Sequence, residues 1–287
     1  MSTTSSPPPV DRAAELLRRV VIHTALVIAA VVTLFPLLWM FTTAFTPNEL
    51  VFRRSMGLLP TSPTLENFAV AFKVQPVAHW LVNSMITATA IAAGKMLISI
   101  PAAFAFAHFR FRGRDWLFAL IVGTMTIPYV ITLIPTYIAV VKLDLYNTLT
   151  GVIVPSIAFC GFAIFFLRQS FKVVPTELLE AAVIDGAGPL RTLVSIVVPN
   201  TLPAIASLTV LSFLSAWNLY LWPHLILNDA EMKTLSIGLK LFATNQEQLQ
   251  QWAPLMATAV LGLLPALAIF VFAQRFIMDA FVHSGIK

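Results

Sequence analysis

The chain has 287 residues, of which 58% are hydrophobic and only 11% charged, and its mean hydropathy is +0.86. Soluble domains carry about 25% charged residues, so this composition excludes a separate soluble domain and predicts one membrane domain. The net charge of +5 does not indicate nucleic-acid binding, because the basic residues lie at the ends of apolar runs, where they orient membrane helices.

The predicted elements start with a disordered cytoplasmic segment, residues 1–19, because residues 1–9 are rich in Ser, Thr and Pro. The apolar run that follows is too long for a signal-peptide core and has no convincing cleavage site, so it is predicted to be an uncleaved first span. A six-span domain is predicted over residues 20–280, followed by a cytoplasmic tail, 281–287. The predicted spans are 20–45, 81–106, 116–140, 149–167, 201–225 and 254–272. The predicted fold class is therefore an all-α integral membrane protein.

The asymmetry of Lys and Arg predicts the orientation of the spans. With the N-terminus inside, the inner segments carry Arg12, Arg18, Arg19, Arg110, Arg112, Arg114, Arg168, Lys172, Arg191, Arg275 and Lys287. The outer segments carry Arg53, Arg54, Lys73, Lys142, Lys233 and Lys240. Eleven basic residues against six favour a cytoplasmic location for both termini.

The connection at residues 168–200 is predicted to form a helix, a turn and a second helix. Thr176 is suited to cap the first helix, and Glu177 and Glu180 are predicted to lie in its first turn, where the helix dipole favours carboxylates. Ala181 and Ala182 offer a small-residue surface that lets another helix approach closely.

Asp185 and Gly186 are predicted to end the first helix, because glycine readily adopts the left-handed conformation found there. The second helix is predicted to start at Gly188-Pro189, with proline in its first position. It shows apolar residues at helical spacing until Pro199: Leu190, Leu193, Val194 and Val197.

The sequence Glu180-Ala-Ala-x-x-Asp-Gly-Ala, followed by Ile196 and Pro199, resembles the EAA loop of binding-protein-dependent ABC importers. Glu-Ala-Ala alone would indicate only an ordinary helix between spans. The spacing to Gly186, the predicted cytoplasmic position and the two later spans favour the EAA loop.

The resemblance extends over most of the chain. Four motifs are similar to the MalG-type branch of carbohydrate permeases: Thr64–Phe68, Asn83-Ser84, Phe109–Arg114 and Trp217–Pro223. Within that branch, the last motif together with Gln274-Arg275 is similar to the glycerol-3-phosphate permease subset.

This resemblance implies the fold of a type I ABC importer permease, with a coupling helix that docks into a cleft on a cytoplasmic ATPase. The coupling residues it implies are Glu177, Glu180, Ala181, Ala182, Asp185, Gly186, Ala187 and Gly188. The implied partners are a homologous second permease, two ABC ATPase subunits and an extracytoplasmic solute-binding protein, in a bacterial or archaeal cell membrane. The chain would form half of the pathway for a sugar, a sugar derivative or a glycerol-phosphate-type solute by alternating access.

The chain itself is predicted not to be an enzyme. Gly94-Lys95 is followed by Met96 and lacks the upstream glycine of a phosphate-binding loop, so ATP and Mg²⁺ are expected on the partner ATPase. The five histidines lack metal-ligand spacing, and Cys160 lies in an apolar run that suits packing. No cofactor or metal is expected in the chain.

Four residues are candidates for the translocation pathway: Asn83, Lys95, Asn218 and Tyr220. The side chains of Asn83, Asn218 and Tyr220 could hydrogen-bond a hydroxylated solute or tie helices together. Lys95 could be a counter-charge for an anionic group of the solute, or could pair with carbonyls or with an acid of the partner permease.

Two other classes of membrane protein are alternatives to the importer. An intramembrane enzyme would show a nucleophile elbow or paired carboxylates, and an ion-coupled carrier would show acids inside its spans. The predicted spans contain neither feature, which favours energy supplied from outside the chain.

Overall fold

The computed structural model describes residues 12–51, 62–244 and 251–285. These residues form helices and connecting turns, and no strand occurs among them. The α-helices are α1 (Arg12–Ala44), α2 (Glu66–Val74), α3 (Val77–His108), α4 (Arg114–Thr124), α5 (Tyr129–Lys142), α6 (Leu149–Ala158), α7 (Gly161–Phe171), α8 (Thr176–Ile184), α9 (Pro189–Thr192), α10 (Val198–Asn200), α11 (Leu202–Trp217), α12 (Leu221–Ile226), α13 (Leu235–Thr244) and α14 (Trp252–Gly285). Short 3₁₀ and π segments occur at Asn48–Leu50 and Leu193–Val197.

Among the described residues, three helices are long and apolar enough to cross a membrane: Glu15–Ala44, Val77–His108 and Trp252–Phe272. Three bent pairs of shorter helices are also long and apolar enough when each pair is counted as one span. α4 and α5 meet at 96°, α6 and α7 at 46°, and the segment Pro189–Asn200 meets α11 at 84°. Counting each pair as one span gives up to six spans, in an all-helical membrane fold.

The ends of the chain differ from the prediction. Helix α1 begins at Arg12, so residues 12–19 are helical instead of disordered, and Arg19 forms an ion pair with Glu15 one turn earlier, 2.5 Å apart. The predicted disordered residues 1–11 lie outside the described part of the chain. At the other end, α14 continues to Gly285, beyond the predicted end of the sixth span and into the predicted tail.

The predicted fifth span, 201–225, is also interrupted. Helix α11 ends at Trp217, and α12 begins at Leu221. The following polar connection was predicted to lack a span, but it contains the apolar helix α13, whose residues Leu235, Ile237, Gly238 and Phe242 are buried. The sequence did not predict this helix, because it is shorter than a span and is flanked by polar residues.

The described residues within 1–70 and 250–260 form one compact unit. Its small core contains Ala44, Ala257 and Val260, and the tilted rings of Phe45 and Phe68 pack beside it with 5.2 Å between their centroids. The buried Asn67 amide donates to the carbonyls of Ala44 and Thr46, at 2.9 and 2.8 Å. Most of α1 is exposed along its apolar length, as a lipid-facing helix requires.

The described residues within 71–249 and 261–287 form the second unit, in which α3 packs against α6, α7, α11 and α13. Small residues of α3 such as Ala88, Ala92 and Ala103 are buried, and they allow neighbouring helices to approach closely. The guanidinium of Arg168 links this core to α4: its Nε donates to the Phe106 carbonyl at 3.1 Å, and its Cζ lies 3.9 Å from the Phe118 ring centroid.

Gly238 of α13 lies against the indole face of Trp80, and a Cβ added at Gly238 would overlap that ring. We expect Gly238→Ala to lower the free energy of unfolding by about 1–3 kcal/mol, because Trp80 is fully buried and cannot move aside. Thermal melting of the purified protein measures the effect. Gly123→Ala in α4 is the matched control, since its Cβ would meet nothing within 4 Å; equal melting temperatures for the two variants would contradict this packing.

Candidate functional site: the helical loop at residues 168–200

Helix α8 is the first helix of the loop, and its start differs from the prediction. Pro175 occupies the N-cap position and Thr176 is already helical, with no side-chain cap. The prediction that Thr176 caps the helix is therefore wrong, because proline ahead of it takes the extended cap conformation at ψ 134°. Glu177 lies in the first turn as predicted, whereas Glu180 lies one turn later, so only Glu177 is placed to interact with the N-terminal dipole.

The end of α8 agrees with the prediction. Gly186 has φ +76°, the left-handed conformation that glycine adopts without a steric penalty. The N–H of Ala187 donates to the Ala182 carbonyl at 2.8 Å, and the N–H of Gly186 donates to the Val183 carbonyl at 3.0 Å. These two bonds form a Schellman motif. A Cβ at Gly186 would meet nothing within 4 Å, so the constraint there is conformational and not a clash with a neighbour.

The second helix begins as predicted but does not end as predicted. Gly188 is the N-cap and Pro189 is the first helical residue. The chain continues through one π-helical turn at Leu193–Val197 and then α10, so Pro199 lies within α10 and the helix ends at Asn200. Leu193 and Val197 are buried, whereas Leu190 and Val194 are exposed.

One side of the loop packs against the core, and the other side is exposed. Leu179 packs against a core that includes Phe104, Phe171 and Val197, and Ala182 is the buried residue of α8. The other coupling candidates face outward, apart from the half-buried Ala187: Glu177, Glu180, Ala181, Asp185, Gly186 and Gly188. The predicted Ala181-Ala182 surface is thus divided, because neighbouring helical positions point in different directions.

Apolar side chains are exposed around the turn. Ile184 is 85% exposed, Leu190 74% and Val183 69%. Next to them a cleft of about 780 Å³ lies between α8 and the last turn of α3. Phe104, His108, Phe109, Glu180 and Ile184 are among the residues that line it. Sequence reasoning missed the roles of Phe104, His108 and Phe109 in this cleft, because no local pattern shows that α8 folds back onto the end of α3.

The structure places the polar pathway candidates in two different settings. The Asn83 amide nitrogen donates to the carbonyls of Glu231 and Lys233, at 2.7 and 3.1 Å, which supports the role of tying segments together. Asn218 is exposed, and its side-chain nitrogen donates to the Leu214 carbonyl at 2.8 Å. Tyr220 precedes α12, and its ring stacks on His224 with 5.2 Å between centroids.

Asn83 belongs to a set of hydrogen bonds that holds the connection before α13. The Trp80 indole donates to the Ala230 carbonyl at 2.8 Å, and Ser84 Oγ accepts from the Leu235 N–H at 2.8 Å. Sequence reasoning missed Trp80 and Ser84 in this role, since their partners lie about 150 residues away along the chain. Asn218 and Tyr220 lie at the break between α11 and α12 instead.

Lys95 lies in the middle of α3, within 32 helical residues, and its side chain is half-buried. Among the described residues it has no ion pair and no hydrogen bond; the described ion pairs are Arg19–Glu15 and Arg114–Asp115. Pairing with carbonyls of this chain therefore receives no support. An ammonium at mid-membrane costs about 2.5–3.5 kcal/mol on insertion scales, so a compensating partner is needed.

The described part of the chain contains no group of three or more His, Cys, Asp or Glu residues placed to hold a metal ion. The loop at residues 168–200 combines a hydrogen-bonded helical turn with exposed apolar side chains. The described helices are therefore those of a membrane protein with an exposed helical loop between two apolar segments.

The chain belongs to the family of binding-protein-dependent transport system inner membrane components, whose sequence profile matches residues 95–279. It is 36% identical to the sn-glycerol-3-phosphate transport system permease protein UgpE of Agrobacterium fabrum, over 93% of this chain and 96% of that protein. It is 35% identical to the protein of the same name from Pectobacterium atrosepticum, over 91% of this chain and 95% of that one. The predicted resemblance is confirmed.

The fold is also similar to a solved structure. A chain of a bacterial ABC transporter involved in the import of the acidic polysaccharide alginate superposes with a TM-score of 0.81 at 22% identity, covering 96% of this chain and 100% of that chain. This confirms the predicted all-α, type I importer permease fold. The family is one of transport proteins and not of enzymes, and it places this chain in the inner membrane as a multi-pass protein.

We expect Asn83→Ala to destabilise the protein by about 1–3 kcal/mol, because two backbone carbonyls lose their donor. Melting of the purified protein tests this, with Asn200→Ala as control, since the exposed Asn200 bonds only the Ile196 carbonyl of its own helix. An unchanged melting temperature together with a raised KM for solute uptake would contradict the tying role and place Asn83 in the pathway.

Proposed function

We propose that the helical loop at residues 168–200 is the surface on which a separate ABC ATPase docks, and that ATP-driven movement of this loop drives import. The observation that carries the proposal is the exposed apolar turn at Val183, Ile184 and Leu190. These residues follow or precede bent spans and are not part of a long lipid-facing helix. Large apolar side chains left exposed outside the bilayer indicate a protein interface.

The charges around the turn add specificity to this surface. Glu177, Glu180 and Asp185 are exposed on the same helix or at its end, and no ion pair with them occurs within the described residues. An interface with an apolar centre and charges at its rim favours a partner that offers basic residues there. The cleft beside α8 supplies a concave surface in which such a partner could insert a side chain.

The loop is built to transmit movement to the spans. Leu179 and Ala182 fix α8 to the core at the end of α3 and α7. On the other side, α9, the π-helical turn and α10 run without a gap to the bend before α11. A displacement of α8 would therefore shift α11 as well, as required for alternating access between two states.

The proposal includes the partners and the orientation that the family relationship suggests. A second, homologous permease would complete the pathway, two ATPase subunits would bind ATP and Mg²⁺, and an extracytoplasmic binding protein would deliver the solute. The termini and the helical loop would lie in the cytoplasm, in agreement with the distribution of Lys and Arg. The relatives' names support a glycerol-phosphate or sugar-type solute.

Gly186→Val tests the docking loop. Valine in the left-handed conformation costs about 1–2 kcal/mol, so the Schellman turn should open and transport should uncouple. The complex should still insert, but uptake should stop and ATP turnover should no longer respond to solute. Glu180→Lys, which reverses charge at the proposed interface, should weaken ATPase association.

Two controls accompany these variants. Gly113→Val carries the same kind of strain, since Gly113 has φ +82° and a Cβ there would also meet nothing within 4 Å, but it lies in another loop. Asn228→Ala changes a surface side chain and should do little. Uptake and co-purifying ATPase are measured for all four. Wild-type uptake and full ATPase retention in both Gly186→Val and Glu180→Lys would refute the docking assignment.

A further inference from the structure

Lys95 lies far from both ends of α3. In a helix that rises about 1.5 Å per residue, Lys95 lies about 27 Å from the Val77 end and about 20 Å from the His108 end. The hydrocarbon core of a bilayer is about 30 Å thick. The ammonium therefore lies at the depth of the lipid chains and needs either a polar cavity or a counter-charge.

The chain itself supplies no counter-charge in the part that the structure describes. The described ion pairs lie at the ends of helices, at Arg19–Glu15 and Arg114–Asp115, and Lys95 makes no hydrogen bond there. Its neighbours on α3 are apolar or small. Gly94 is pressed against Ile157, so closely that a Cβ would overlap that side chain.

The break between α6 and α7 lies beside Lys95. Cys160, the N-cap of α7, lies in this break, and Ile157, shortly before it, packs against Gly94, the neighbour of Lys95. The Cys160 side chain makes no capping hydrogen bond, and Ala158 and Phe159 are exposed at the break. A helix N-terminus carries partial positive charge, so the start of α7 favours an anion beside it.

We propose that Lys95 is an anion-binding residue of the translocation pathway, which contacts the phosphate or carboxylate group of the solute as it passes the middle of the membrane. This inference rests on the proposed importer function and names a substrate class, a solute with an anionic group. The unpaired ammonium carries it, and the broken span beside Lys95 gives the anion access to backbone polar groups. Discontinuous spans serve this purpose in other transporters.

The test is uptake by cells that express the chain with its native partner subunits. Two labelled probes separate the sources of the anionic group: sn-glycerol 3-phosphate carries a phosphate, and an alginate oligosaccharide carries carboxylates. For the probe that the wild type transports, Lys95→Met should lower uptake about ten- to a hundredfold, as expected for loss of a charge-assisted hydrogen bond. Lys95→Arg should retain most of it, and both variants should co-purify with the second permease and the ATPase.

Restoring the charge separates binding from packing. In a Cys160→Ser background, Lys95→Cys should lose uptake and regain it on modification with aminoethyl methanethiosulfonate, which adds an ammonium. The sulfonatoethyl reagent, which adds a negative charge, should not restore it. No modification by either reagent would overturn the inference, because a residue of the pathway must be reached from water.

The remaining outcomes also decide the matter. The inference would be overturned if the Lys95→Met variant imported the anionic probe at the normal rate, or if it no longer co-purified with the partner permease. A wild type that imports only uncharged sugars while retaining its ATPase would overturn the anion site but leave the importer function intact. Loss of the ATPase from the wild type itself would instead count against the proposed docking loop.

Discussion

Close packing around α3 is the interaction on which the rest of the larger unit depends. Lipid chains are as apolar as leucine, so helices in a bilayer associate through close fit and hydrogen bonds instead of the hydrophobic effect. Helix α3 offers small buried residues, Ala88, Ala92 and Ala103, and it packs against α6, α7 and α11. Asn83, near the start of the same helix, hydrogen-bonds the connection before α13. Lys95 lies at the middle of the helix, and its last turn lines the cleft beside α8.

The features that could be predicted from the sequence are those set by the conformational limits of single residues. Gly186 was predicted in the left-handed conformation and Pro189 in the first helical position, and both are found there. Glycine and proline have few alternatives in such places. Apolar length was enough to predict a membrane protein, and the motif that starts at Glu180 was enough to predict the family. The predicted capping role of Thr176 is wrong because Pro175, whose conformational preference is equally local, takes the N-cap position itself.

The features that could not be predicted depend on contacts between distant parts of the chain. Hydropathy shows how long an apolar segment is, but it does not show the direction of the helix axis. The 96° and 84° bends therefore could not be predicted. The short helix α13 and the hydrogen bonds of Asn83 could not be predicted, because the sequence does not show that the connection after α12 returns to the start of α3. The cleft at the loop forms for the same reason, since it joins His108 to Glu180 across the fold. The roles of these polar side chains therefore depend more on contacts between distant segments of the chain than on the local sequence.

The central claim, that the turn after α8 meets an ATPase, is tested most directly by photo-crosslinking in native membranes. A benzoylphenylalanine placed at Ile184, which is 85% exposed, should form an adduct with the nucleotide-binding subunit. The same residue placed at the exposed Glu231, on the opposite side of the membrane in the proposed orientation, should form none with that subunit. An ATPase adduct from Glu231, or its absence from Ile184 in membranes where the complex imports solute, would contradict the account.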